Sequence, residues 1–253
     1  MVSVDFLIYL SFTFLMNVMQ MVFTVLIVGM AAIALLSGNL LMNQFAIQLH
    51  PNSFINGLFK YQIYAVVVAL LTLILFRSYQ PASVQMIRIG DLSVIAGKEK
   101  LLGIDGKSSW LSNGVQLLFF ISLATAIFMF LGVRQANRLD AFEWWFMPYI
   151  LLFSLTNSFA EEIIFRYGVI AGMENAYTAF TIQLVSAILF GLPHYSGSPG
   201  GGIGILMSGV LGYILCKATL ETKGISIAWG IHFVQDVIIF TGLMMMRNSS
   251  STG

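Results

Sequence analysis

Seven apolar runs decide what this chain can fold into. They are Phe6 to Leu36, Tyr61 to Phe76, Leu111 to Val133, a run from Trp144 onward, Ala176 to Phe190, Ile203 to Leu220, and Ile225 to Met246. A helix needs roughly 20 apolar residues to cross a hydrocarbon layer about 30 Å thick. Inside that layer the backbone must satisfy its own hydrogen bonds. Only 9% of the chain is charged, against about a quarter in soluble domains. These features predict an all-α, polytopic transmembrane helical bundle of about 7–8 spans, the long first run leaving room for an eighth. The runs are too long and too continuous for the short alternating strands of a membrane barrel.

The links between runs are polar. Ser37-Gly38-Asn39 is expected to stop the first span, and residues 39–60 to form an interfacial segment. Residues 77–109 hold Arg77, Arg88, Lys98, Lys100 and Lys107 with Asp91, Glu99 and Asp105. They read as a solvated extramembrane loop, with a small hairpin near Val84 to Ile89 ahead of Gly-Asp. A turn is expected at Gly172 to Asn175. Residues 1–253 therefore read as a single membrane domain, in the bilayer of a bacterial plasma membrane. The first run lacks an early basic segment and exceeds a signal core in length, so it is expected to be retained. With seven spans one side collects Arg77, Arg88, Lys98, Lys100, Lys107, Lys217 and Lys223, and the other Lys60, Arg134, Arg138 and Arg247. That asymmetry leans towards a cytoplasmic N-terminus. The tail from Arg247 reads as polar and disordered. The net charge of +1 gives no basis for a nucleic-acid partner, and the single cysteine, Cys216, excludes an internal disulfide.

Against this apolar background a few ionisable residues stand out. Glu161-Glu162-Ile163-Ile164-Phe165-Arg166 places two carboxylates and a guanidinium in an apolar run. Charges at such depth face a protein interior or a hydrated cavity, and a functional site is their default reading. Residues four apart share a helix face, so Glu162 and Arg166 are set to neutralise each other. Glu161 points about 100° away and is left to project elsewhere. His232 and Asp236 share the same spacing on the last run. Their pairing fixes a ring tautomer, holds a metal or substrate oxygen, or merely joins helices. His194 follows Phe190-Gly191-Leu192-Pro193, where Gly and Pro break the helix. Irregular backbone at membrane depth is tolerated where protein covers it or a cavity adjoins it.

Together these residues resemble the CAAX protease and bacteriocin-processing family, also called the Abi family. Its pattern is Glu-Glu-x-x-x-Arg, then Phe-x-x-x-His, then His-x-x-x-Asn or Asp. The chain has Glu161 to Arg166, Phe190 to His194, and His232-Phe233-Val234-Gln235-Asp236, in that order. The resemblance covers about residues 145–240, which would form the catalytic core. It implies an intramembrane endopeptidase acting on a membrane-associated protein or peptide. Glu161 would be the base that activates water, and His194 would position that water. His232 and Asp236 would stabilise the oxyanion, while Glu162 and Arg166 shape the site.

One position departs from the better-understood members, which carry Asn where this chain has Asp236. An ionised Asp accepts hydrogen bonds and cannot donate one to an oxyanion. Either Asp236 is protonated, or it orients His232, which then donates. A third arrangement has Glu161, His194, His232 and Asp236 holding a divalent metal such as zinc, with water in an open position. The metal-free glutamate mechanism is favoured, and no cofactor is required by it. Two other functions use the same residues: a non-catalytic bacteriocin-immunity or partner-binding protein, and a proton-coupled transporter. The absence of an internal repeat counts against the transporter. The site also makes a geometric demand. With a turn at 172–175, Glu161 and His194 differ in helical rise by about 10 Å. They meet only if the chain folds back after Phe190 or the turn is longer.

Overall fold

The computed structural model describes residues 4–197 and 199–247. The tail residues 248–253, expected to be disordered, lie outside the described residues. Among the described residues eight α-helices carry the fold: α1 Val4–Met42, α2 Ser53–Tyr79, α3 Trp110–Gln135, α4 Met147–Glu162, α5 Gly168–Met173, α6 Ala179–Gly191, α7 Gly201–Thr222 and α8 Ser226–Arg247. No strand forms among the described residues, and isolated bridges are the sole β-pairing. Among the described residues five helices are long and apolar enough to cross a membrane: α1 (from Ser11), α2, α3, α7 and α8.

Several predicted boundaries move, each for a local reason. Helix α1 does not stop at Ser37-Gly38-Asn39 but continues to Met42. The Ser37 hydroxyl bonds the Ala34 carbonyl, which keeps it inside the helix. Gly38 lies against tyrosine rings of α2; a Cβ there would stand 2.9 Å from Tyr64 Cδ1. The glycine serves close packing, not termination. At 39 residues, α1 is about 58 Å long, so it must tilt or protrude from the bilayer. Helix α2 begins at Ser53, eight residues before the expected span, because the Asn52 side chain caps the amides of Phe54 and Ile55. Lys60 therefore sits on a helix, and its ammonium donates to the Phe45 carbonyl at 3.1 Å.

The expected hairpin also shifts. Pro81–Met86 form a 3₁₀ turn, with proline fixing its start. Antiparallel bridges occur later, between Ile95 and Ser109 and between Glu99 and Ile104. Ser93 donates to the exposed Asp91 carboxylate through its side chain and backbone, which holds that carboxyl below its usual range. The turn expected at 172–175 falls later, because α5 runs to Met173 and α6 starts at Ala179 after a Thr178 cap.

Helix α4 does not simply end at Glu162. A single π turn, Ile163–Tyr167, joins it to α5, so Met147 to Met173 form one rod about 40 Å long. The Gly168 amide reaches back to the Ile163 carbonyl across the wider turn. Such a turn strands a backbone acceptor, and the Ser186 hydroxyl of α6 supplies a donor to the Phe165 carbonyl at 2.8 Å. The rod is buried from Glu162 to Met173. Gly168 and Gly172 let α1 and α2 approach it: a Cβ on Gly168 would sit 3.2 Å from Phe76 and 3.3 Å from Val28. Small residues four apart are the usual device for close helix contact in a membrane. The rod is thus clamped between α1–α2 on one side and α6–α8 on the other.

Candidate active site

The site grows from the last turn of α4. Glu162 is buried, with 1% exposure, and Arg166 is fully buried one turn on. Arg166 Nη2 lies 3.1 Å from Glu162 Oε1. The guanidinium also stacks over the Phe190 ring at 3.9 Å, a favourable cation–π geometry. The pair expected from sequence is present, but it has a third member. His232 Nδ1 of α8 lies 2.8 Å from the same Glu162 Oε1. An ionised Glu162 only accepts, so Nδ1 carries the hydrogen and Nε2 points the other way.

Nε2 faces the two remaining acids. It is 3.6 Å from Glu161 Oε2 and 3.8 Å from Asp236 Oδ1. The adjacent glutamates therefore straddle one imidazole, reaching its opposite nitrogens. The expected His232–Asp236 partnership is loose; the ring is oriented by Glu162 instead. Asp236 has a different close partner, Asn157, whose Nδ2 donates to Asp236 Oδ2 at 3.1 Å and to Glu161 Oε1 at 3.1 Å. Sequence reasoning missed Asn157. The signal was there, because it lies one turn before Glu161 on the same helix face, but an amide in a helix that also carries Ser154, Thr156 and Ser158 does not stand out.

His194 lies in the 3₁₀ turn Leu192–Ser196 that follows α6. Its Nδ1 is 2.7 Å from the Phe190 carbonyl, which can only accept. Nδ1 therefore carries a hydrogen, and in the neutral ring Nε2 is left as an acceptor. Its ring packs on Phe190, centroids 4.7 Å apart, and Phe190 meets His232 edge-on at 5.6 Å. The backbone of α7 fixes the turn from outside: a Cβ on Gly204 would stand 2.5 Å from the His194 carbonyl oxygen, so only glycine fits. Glu161 and His194 line the same cavity. One remedy for the geometric demand operates: the turn between α5 and α6 is longer than expected, whereas the chain after Gly191 continues as a 3₁₀ turn and does not fold back before His194.

That cavity has a volume of about 540 Å³. Phe128 and Met129 of α3, Leu206 and Met207 of α7, and Ile239 and Phe240 of α8 give it apolar walls. Glu161, Asn157, His194, His232 and Asp236 meet at its polar end. Glu161 Oε2 at that end and Glu162 Oε2 behind it are buried without a hydrogen-bond partner, as are Nε, Nη1 and Nη2 of Arg166. Among the described residues no three His, Cys, Asp or Glu side chains are placed to hold an ion.

The family model for type II CAAX prenyl endopeptidase Rce1-like proteins matches residues 143–238, and all three motifs lie within it. Over this segment the chain is similar to the Rce1-like family. No curated protein and no solved structure matches the chain. The Rce1-like segment begins just before α4 and ends on α8, so it contains every residue of the polar cluster described above. With the five apolar helices, it marks the chain as an integral membrane protein with a protease-type core.

Proposed function

We propose that the chain is an intramembrane endopeptidase in which Glu161 activates water to hydrolyse a peptide bond of a membrane-associated protein or peptide. One observation carries this reading. Glu161 is the acid of the cluster with a partner-free oxygen facing His232 on a cavity wall, and its side chain is 15% exposed where Glu162 is 1%. Asn157 occupies Oε1, which leaves Oε2 to take a proton.

In this reading His194 Nε2 accepts from the water and aims it. Water adds to the carbonyl carbon as a new C–O bond forms, and its proton passes to Glu161. The C–N bond then breaks, and the same proton leaves with the amine. His232, its Nδ1–H held by Glu162, donates to the developing oxyanion from Nε2 as the doubly protonated imidazolium. Asp236 accepts from Asn157 and flanks His232, which favours an acceptor role beside the ring over donation to the oxyanion. Glu162 and Arg166 hold the helix and the imidazole in place. The apolar cavity receives the peptide within the bilayer. The reading takes seven spans, counting the Met147–Met173 rod and α6 with its 3₁₀ extension, and treats residues 77–109 as an extramembrane loop beside a core at 145–240.

The test is substrate capture. Glu161→Gln keeps the side-chain shape and removes the base. The variant should insert and fold, hold a membrane peptide without cutting it, and allow the peptide to be identified by mass spectrometry. Full activity of Glu161→Gln would end this reading.

A further inference from the structure

A second cavity lies behind the first. It has a volume of about 200 Å³ and is lined by Ala32, Leu35 and Leu36 of α1, Tyr61 of α2, Phe165 of the π turn, and Pro193, Ser196 and Gly197 after α6, together with Glu161 and His194. Glu161 and His194 are the two residues that line both cavities. They stand in the partition, with an apolar space of about 540 Å³ on one face and the small space on the other. The small cavity has room for several waters at about 30 Å³ each, and polar groups to hold them. Its lining reaches Ser196 and Gly197, both exposed beyond the end of α6.

We infer that the small cavity is the chamber that supplies the reacting water, delivered to Glu161 and His194 from the α1–α2 side while the peptide occupies the large cavity. The inference rests on the hydrolytic reading above and deepens it. A peptide seated in the large cavity covers the apolar face of Glu161, so water needs a separate approach, and the partition residues are those that must touch both reactants. It also gives α1 and α2, which lie outside the Rce1-like segment, a part in the chemistry. Tyr61 is the aromatic wall residue that α2 contributes to the chamber.

Thiol labelling in native membranes tests the chamber without requiring activity, because the reacting species is a hydrated thiolate. In a Cys216→Ala background, Ala32→Cys faces the chamber, while its neighbour Ile33→Cys faces outward with 66% exposure in the bare protein. A charged, membrane-impermeant methanethiosulfonate should modify Ala32→Cys at least about tenfold faster than Ile33→Cys. Adding Tyr61→Trp should remove that difference by filling the space. Equal rates for the two cysteines would overturn the inference; if Ala32→Cys fails to insert, Leu35→Cys on the same wall replaces it. On the peptide captured by Glu161→Gln, Tyr61→Trp should lower kcat about tenfold and leave KM unchanged. An unchanged kcat would overturn the supply role. The hydrolytic reading fails separately, on full activity of Glu161→Gln, and labelling is unaffected by that outcome.

Discussion

Two acidic clusters in this protein share a design and differ in completion. On α7, Lys217 and Glu221 are four residues apart, as Glu162 and Arg166 are at the end of α4. Glu221 is fully used. Its Oε1 takes the Lys217 ammonium, and its Oε2 accepts from the Trp110 indole at 2.8 Å and the Gly97 amide at 2.7 Å. The cluster staples the loop between α2 and α3 to α7 and the start of α3. At the end of α4, Glu162 Oε1 has two partners, yet Glu161 Oε2, Glu162 Oε2 and all three nitrogens of Arg166 lack a hydrogen bond. A buried polar group left unmade costs about 1–3 kcal/mol. A cluster built only to hold helices together would be completed, as the one on α7 is. Incompletion beside a cavity marks the place where a reactant completes the set.

The sharpest way to break that contrast is Glu161→Gln. Loss of a general base costs about 10²–10⁴ in rate. The contrast requires the loss to fall on kcat, with thermal stability in detergent little changed, because Oε2 has no partner to lose. A large drop in stability would make Glu161 a structural acid like Glu221.

Arg166→Met addresses the completed half of the same cluster. Removing one partner of a buried ion pair costs about 3–5 kcal/mol, since the other charge stays buried and unpaired. Glu162 keeps His232, which sets the loss nearer the lower bound. Denaturant unfolding in mild detergent measures it. A neutral result would show that His232 alone can compensate Glu162.

Glu221→Gln is the control from the other cluster. It weakens charge-assisted hydrogen bonds to Lys217, Trp110 and Gly97, each worth about 1.5–3 kcal/mol. The loop from Val94 to Leu102 should loosen, seen as faster amide exchange at Gly97, while turnover at the distant site stays the same. A fall in kcat would mean that the two clusters are coupled.

How much of this was legible before the structure depended on what each residue needed from its neighbours. The apolar runs and the Glu162–Arg166 pair depend on local spacing, and both were readable. The three motifs pointed to the Rce1-like segment because they depend on identity and order. The π turn was not readable: nothing in Ile163 to Tyr167 differs from an ordinary apolar helix, and the turn depends on Ser186, a residue of another helix, to satisfy Phe165. Ser37-Gly38-Asn39 misled for a related reason. Glycine beside a polar pair reads as a stop, yet Gly38 is there because Tyr61 and Tyr64 pack against it. The small cavity was invisible for the same reason, since its wall joins α1 and α2 to residues more than 80 positions later.

Asn157 shows where the contrast is finest. It spends both hydrogens of one amide nitrogen on two carboxylates, so it belongs structurally with the completed groups, yet the acids it holds belong to the incomplete set. If it positions Glu161, Asn157→Ala should lower kcat about tenfold, or about 1.4 kcal/mol in the barrier, because Oε1 is freed and the side chain turns. Packing loss alone predicts a stability change without that kinetic cost. Asn157→Asp separates the two. It preserves volume but sets a third acid between Glu161 and Asp236, and like charges at that range disfavour ionisation of all three. Turnover should fall further than with Ala, and the pH–rate profile for the captured peptide should move towards higher pH, a shift that a packing defect does not produce.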